Sequence, residues 1–517
     1  MASTFMGLSI ANRGLASSQT GLSVTTNNIS NVNTTGYSRQ TVTQVAIGPA
    51  AVYSGNNYVG SGSDVTSVDR VRSFRLDQKY WRQNSAQSEW DGKSTYLTEI
   101  EEYLSTSSTD TVNLSTELSN FNTALENLSS DPGSDSARSV VVDDGTAICE
   151  WLNNAADNLT QARSDINSDV KTTVEQINSY SQQIADLNQK ISVATASGSS
   201  ANDLEDQRDL LIDKLSALAG IEVTQTTTGT AADGTDVTNY NISINGATLV
   251  SGNNARQLEC YTISDGSDED GMYGIRWADT GDSFDPGDSG SLKAELDVRD
   301  GTGNDGEYKG ILYYMDQLNT FAQTFAKAFN EGVTTSSGTT YSGYVNGYGS
   351  DASTGNRFFS YNNLSSDELQ NLITASGTDA VYAKITAANI SLTSDVQDNP
   401  REVAAASASG EKSNNENVKD LISICEDSVI FNGSSPTDYY KAFIGTLGAD
   451  TSYASQQYNV QSAIASYIDD SRSSVSGVST NEETVNMTKY QEAYEASASA
   501  VTTWSNIYQT TIDMVSD

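Results

Sequence analysis

The chain has 517 residues, with 28 Lys+Arg against 67 Asp+Glu and a formal charge of −39, a balance that disfavours general affinity for nucleic acid or an anionic membrane surface. It contains no histidine, and its three cysteines, Cys149, Cys260 and Cys425, are far apart and form no Cys-x-x-Cys. Ser-His catalysis, the usual zinc sites and a readable disulfide framework are thereby excluded.

Charge is unevenly placed. No Asp or Glu precedes Asp64, so the front is nearly uncharged, with Arg13 and Arg39, and most of the acid belongs to the middle of the chain. This division fits a weakly charged assembly core inside an acidic exterior. No apolar run approaches membrane-spanning length, and the first residues lack the basic start and apolar block of a secretory signal.

In the first segment one set of heptad positions holds Met1, Leu8, Leu15, Leu22 and Ile29, and the other holds Thr4, Ala11, Ser18, Thr25 and Val32. A seven-residue repeat makes one narrow stripe, buried best against a second helix of the same period. The repeat runs into Asn27-Asn28-Ile29-Ser30-Asn31-Val32-Asn33-Thr34-Thr35-Gly36-Tyr37-Ser38-Arg39-Gln40. There the asparagines can bond their own backbone to close the helix, and Gly36 supplies a positive φ before an extended segment.

Asp64 to about Gly220 reads as helical. Leu159, Ile166, Thr173, Tyr180 and Leu187 alternate with Val170, Ile177, Ile184 and Ile191 in heptad register, giving a long helix that ends in a linker from Ser192 to Ala201. The next helix is expected to start at Asn202 as N-cap, with Glu205 closing a capping box, and Leu204, Leu211, Leu215 and Leu218 facing back along the hairpin to Gly220. From Ile221 the pattern becomes threonine-rich alternation (Ile221-Glu222-Val223-Thr224, Tyr240 to Gly246, Gly274 to Trp277), which predicts an antiparallel β insertion up to roughly Val298. Helix resumes near Ile311 with Leu318, Phe321, Phe325 and Phe329 on one face. A Gly/Ser/Tyr-rich stretch follows, and the last helices before the C-terminal repeat are Tyr439 to Gly448 and Tyr453 to Val475.

At the far end the heptad sets are Met487, Tyr494, Val501, Tyr508, Val515 and Tyr490, Ser497, Trp504, Thr511. Matching stripes at both ends predict that the terminal helices pair as a coiled coil. The expected fold is mainly α with β insertions, comprising a terminal coiled-coil assembly domain (1–50 plus 476–517), a helical domain with a long hairpin (51–220, 299–333 and 400–475), an inserted β subdomain (221–298) and a second inserted surface subdomain (334–399).

Asn28, Asn31, Val32, Gly36 and Tyr37 fall in a stretch that resembles the Asn-Asn-Ile-Ala-Asn-Val-Asn-Thr-x-Gly-Tyr signature of the flagellar rod, hook and hook-associated axial family. Ser476-Gly477-Val478, Glu482-Glu483, Asn486, Tyr490-Gln491 and Ala493-Tyr494 are similar to the family's terminal motif, with Thr480-Asn481 departing from its usual Leu-Asp. Together with Gly36-Tyr37-Ser38-Arg39-Gln40 in front, this points within the family to the hook-associated protein 1 group. Asp203 to Leu211, Gly290-Ser291-Leu292 with Arg299-Asp300, Ala388-Asn389-Ile390 and Asp398-Asn399-Pro400 resemble further elements of that group.

The resemblance implies a structural subunit of the bacterial flagellum at the hook-filament junction, exported unfolded by the flagellar type III apparatus. Its partners would be further copies in a ring or helical array, hook protein below, a second hook-associated junction protein and the filament above, and a cytosolic chaperone on the C-terminal helix. Leu8, Leu15, Leu22, Ile29, Val32, Met487, Tyr490, Tyr494, Val501, Trp504, Tyr508 and Val515 are the expected assembly interface. No catalytic residue, cofactor or metal is expected: acid runs such as Asp268-Glu269-Asp270 read as solvated charge, and Asp265 to Gly271 lacks the sixth-place glycine and twelfth-place glutamate of an EF-hand. The alternatives are another axial protein, hook or distal rod, and a secreted acidic adhesin or carbohydrate-active enzyme in which the tails are incidental.

Overall fold

The structure, a computed structural model, describes residues 6–48, 50–51, 58–105, 113–230, 236–304, 306–335 and 337–516. Helix α1 (Met6–Ser30) leads into β1 (Gln40–Ala46), β2 (Ala50–Ala51), β3 (Tyr58–Val59) and β4 (Ser63–Arg70). β1 and β4 pair antiparallel with Val42 opposite Val68, and β4 lies beside α1, where the Ser17 hydroxyl reaches the Ser63 carbonyl. Residues 64–70 are therefore strand rather than the start of the helical region; their β-branched alternation finds a partner in β1, and helix begins only at α2 (Phe74–Ser105).

Helix α3 (Leu114–Ser130) and α4 (Asp135–Ala196) begin under side-chain caps from Asn113 and Ser134. At 62 residues, α4 spans roughly 93 Å and buries both rows of its heptad pattern, with Tyr180 partly covered. It continues past Ser192, since Ile191 is still packed in the core. Helix α5 (Asn202–Leu218) forms as expected, but its cap does not: Ala201 is the N-cap, the Asn202 side chain instead donates to the Val68 carbonyl, and Glu205 is drawn to Arg70 at 2.8 Å.

Strands β5 (Ile221–Thr230), β6 (Asp236–Ile244), β7 (Ala247–Ser251) and β8 (Asn254–Ala255) form an antiparallel sheet in chain order, beside the ladder of β9 (Leu258–Thr262) and β10 (Tyr273–Trp277). Tyr240, Ile242 and Ile244 alternate inward, and Asn188 and Asn178 of α4 bond the backbone of β6 and β9. Regular strand ends at Trp277. Gly290, at φ +99°, turns the chain into α6 (Ser291–Asp300), which buries Leu292 and Val298 within the span expected to be β.

Helix α7 (Ile311–Glu331) packs its predicted aromatic face into a cluster with Phe121, Phe358 and Phe359. Then come β11 (Gly332–Thr334), β12 (Thr340–Ser342), β13 (Phe359–Tyr361), α8 (Ser366–Ser376), α9 (Thr378–Tyr382), β14 (Ile390–Leu392), α10 (Ser394–Asp398) and α11 (Glu416–Glu426). Side chains from 344–405 fill the same core as α3, α4 and α7, and the buried Asn330 amide ties α7 to Phe358 and Phe359.

Helix α12 (Pro436–Ser476) is continuous where two helices separated near Gly448 were expected. Its length is packed antiparallel on α2, as the Trp90–Tyr453 ring contact and the Gln83–Gln461 hydrogen bond show, and that support outweighs the cost of an interior glycine, about 1 kcal/mol. Helix α13 (Thr480–Ser516) closes the chain. A second core joins α5, the lower part of α4, α6 and the strands.

Candidate assembly site where the chain ends meet

Helices α1 and α13 run antiparallel, and the α1 side of their seam is made of small residues. Gly7 lies on the Trp504 ring, Gly14 on Ser497 and Gly21 on Tyr490; a β-carbon on Gly21 would stand 2.6 Å from that ring. Ala11, Ser18, Thr25 and Asn28 are buried along the same side. Bulk on one helix is thus matched by its absence on the other, which brings the backbones close.

The leucine row is placed differently from an interlocking core. Leu8, Leu15, Leu22 and Ile29 lie beside the seam and are only half-buried, while Val32 is exposed. On α13, Tyr490 joins the seam, Met487, Val501 and Tyr508 are half-buried, and Tyr494 and Trp504 keep about a third of their surface open. Met1, Thr4 and the Val515 side chain lie outside the described residues. The glycine spacing 7, 14, 21, completed by Asn28, was the unread signal: a hydrophobic-repeat search passes over a heptad of residues without side chains.

Where this pair meets the helical body, the turn at 37–40 and Glu483 of α13 converge on Asn28. Its Oδ1 accepts from the Tyr37 hydroxyl at 2.8 Å and the Gln40 N–H at 3.0 Å; its Nδ2 donates to the Gln40 carbonyl at 2.9 Å and to Glu483 Oε2 at 3.1 Å. All four hydrogen-bonding positions of the amide are used. Asn31 Nδ2 donates to the Asn27 carbonyl and closes α1, and Gly36, at φ +84°, turns the chain beneath Leu210. Ser38 N–H donates to Asp206 and Gln40 Nε2 to Asp203, while Arg39 donates through its N–H to the Ser476 carbonyl and through its guanidinium to Glu482. Gly477 ends α12 through its N–H to Ser473, and Val478 is half-buried. Gln491 is not brought in; it is exposed and reaches Glu495 of its own helix.

Behind Asn28 lies a charged layer. Arg70 pairs with Glu205, Asp206 and Asp209 at 2.7 to 2.9 Å, Arg72 forks onto Asp77, and Arg472 pairs with Asp213 at 2.8 Å while stacking on Tyr80. Burial pushes the Asp209 carboxyl up, but Arg72, Arg208 and Arg70 outweigh it and hold the group below the usual carboxylate range. Tyr37 is pushed up to about 12, by burial first and then by Asp203, Asp206 and Glu483, so its hydroxyl keeps the proton it donates to Asn28. The arrangement offers no activated nucleophile or paired general acid and base; chemically it is a lock that fixes the terminal helices against the body. Among the described residues no His/Cys/Asp/Glu cluster is disposed to hold a metal, and no helix is long and apolar enough to cross a membrane.

The chain is similar to known proteins along most of its length. Residues 97–359 match the family described as flagellar hook-associated protein FlgK helical domain, residues 8–37 the flagella basal body rod protein family, and residues 470–514 the flagellar basal body rod FlgEFG protein C-terminal family. The chain is 32% identical to flagellar hook-associated protein 1 of Bacillus subtilis (strain 168), over 97% of this chain and 96% of that one. It is 24% identical to flagellar hook-associated protein 1 of Salmonella typhimurium, over 97% and 98%. The flagellar hook junction protein FlgK from Burkholderia pseudomallei superposes with a TM-score of 0.59 at 17% identity, over 77% of this chain and all of that one, which supports the fold.

Proposed function

The chain belongs to the flagellar hook-associated protein 1 family, and from that premise we propose that it is a structural, non-catalytic subunit of the hook-filament junction, polymerised on the distal hook as the base on which the filament grows. The observation that carries the reading is the division of labour on the terminal helices. Glycines close the pair within one chain, so Leu8, Leu15, Leu22 and Ile29, with Val501 and Tyr508 opposite, remain only half-covered and available to neighbouring copies. The junction centred on Asn28 then fixes the angle at which each copy's body leaves that inner layer. In this reading 1–50 with 476–517 is the assembly domain, and the helical body carries the β insertion 221–298 outward.

Export unfolded through the flagellar type III apparatus completes the reading, with a cytosolic chaperone covering α13, where Tyr494, Trp504, Ile507, Ile512 and Met514 are exposed. Hook protein is the partner below; the second junction protein and the filament lie above.

Deleting the gene in its host tests the proposal. Bare hooks with flagellin shed into the medium are expected, and Leu15→Asp or Val501→Asp should give soluble protein that does not restore filaments. Missing hooks would favour a hook or rod subunit, and normal filaments from either mutant would remove the assembly role assigned to these rows.

A further inference from the structure

One flank of the helical body is basic and apolar in a chain that is acidic overall. The Gln83–Gln461 hydrogen bond and buried Ala454 and Ala465 fix which side of α12 faces α2. On a flank of α12 beside that contact, Val460, Ile464 and Tyr467 are 47%, 41% and 73% exposed. Their spacing of four and three residues makes one continuous row, the pattern that another helix covers. From Thr451 to Ile468 the helix carries no charge.

Helix α2 adds a second row. Arg75, Lys79 and Arg82 are exposed, follow one another at four and three residues, and make no ion pair among the described residues. With the two helices antiparallel and Gln83 facing Gln461, the helical period sets the basic row and the apolar row on the same flank of the α2/α12 pair.

We propose that this flank is a lateral docking surface for a second copy of the same chain. The inference rests on the junction-subunit reading and adds to it an interface in the helical body, distinct from the terminal helices. Charge selects the occupant. Copies with 67 acids against 28 bases repel one another over most of their exteriors, and the unpaired cations beside an uncharged row give the next copy's acidic surface a favourable approach. Because the basic flank meets a different, acidic surface of the next copy, the contact is heterologous and extends an array.

Photocrosslinking the full chain with Tyr467→p-benzoylphenylalanine tests it, in wild-type cells and in purified protein at assembling concentration. The expected adduct has twice the chain mass, maps to a peptide of another copy, and falls at least tenfold with Lys79→Glu plus Arg82→Glu. Ile464→Asp, at an exposed position, should keep the wild-type melting temperature and lose incorporation. Adducts only to another protein or to lipid, or none beyond the chain itself, overturn the proposal. If Ile464→Asp incorporates normally while Leu15→Asp does not, this surface fails and the junction reading stands; if both incorporate normally, the assembly role of the terminal rows fails too.

Discussion

Asn28 and Glu483 are 455 positions apart, yet the Asn28 amide donates to the Glu483 carboxylate at 3.1 Å, and both side chains are buried. This contact joins the first helix to the last. Replacing Asn28 with Ala would strand the Gln40 N–H and carbonyl, the Tyr37 hydroxyl and a buried carboxylate, a loss of ~2–4 kcal/mol by the cost of unmade buried hydrogen bonds. Denaturant titration should show that loss, and hydrogen exchange should locate it at the start of α13. Asn28→Asp should be worse, because it sets a second carboxylate beside Glu483. Unchanged exchange in α13 would show that Asn28 does not hold the two helices together.

Gly21 has no room for a side chain because Tyr490 occupies the space. Gly21→Leu should therefore separate α1 from α13, exposing both to protease while the melting of the helical body stays within ~1 kcal/mol of wild type. A compensating Tyr490→Ala in the same chain should restore part of the protection, a non-additivity expected of residues in direct contact. Equal protease sensitivity of Gly21→Leu with and without Tyr490→Ala would contradict the seam.

Arg70 is held by three carboxylates in one layer. Arg70→Met leaves Asp209 with two of its three arginines and should cost ~3–5 kcal/mol, the penalty for breaking a buried ion pair from one side. Its pH dependence has a definite sign. Asp209 titrates below its ordinary value, so its contribution is present above about pH 4 and is lost as pH falls through the lowered folded value. In the mutant that loss should begin at higher pH, read from the fluorescence of Trp81, which hydrogen-bonds the neighbouring Asp213.

The long elements were legible because their signals are local and repeated. The α4 heptads and the aromatic face of α7 each specify a buried stripe with no knowledge of what covers it. Residues 64–70, the cap of α5 and the continuity of α12 were misread because distant partners decide them: β1 for Asp64 to Arg70, Val68 and Arg70 for Asn202 and Glu205, α2 for Gly448. At the assembly site the motif residues Asn28, Tyr37, Gln40 and Glu483 could be named in advance, but their convergence on one amide could not. Arg70 and Arg72 were passed over, and Asp209 was named only as part of a motif, because a charge in a solvated chain and one in a buried layer look the same in sequence.

Glu295 gives the fold a titration unrelated to the chain ends. It is buried between α6 and α4, accepts from the Thr173 hydroxyl at 2.8 Å, and keeps its other oxygen without a partner. Burial pushes its carboxyl up to about 8; Asp169 adds to the rise, while Thr173 and Arg299 oppose it. Tyr96 of α2, bonded to Asp169, faces the same carboxyl. An acid that holds its proton in the folded chain and releases it in the unfolded one contributes stability that is complete below about pH 4.5 and drains away as pH rises to about 8. Glu295→Gln keeps the shape and the acceptor for Thr173 but has nothing to titrate. Its melting temperature relative to wild type should therefore rise steadily between pH 5 and 8, by a few °C in total, and level off above that range. Comparing the two chains side by side cancels the general acid repulsion, which both share. A difference that is flat across this range would mean that Glu295 is ionised in the folded chain, with water or Arg299 supplying the partner its free oxygen lacks.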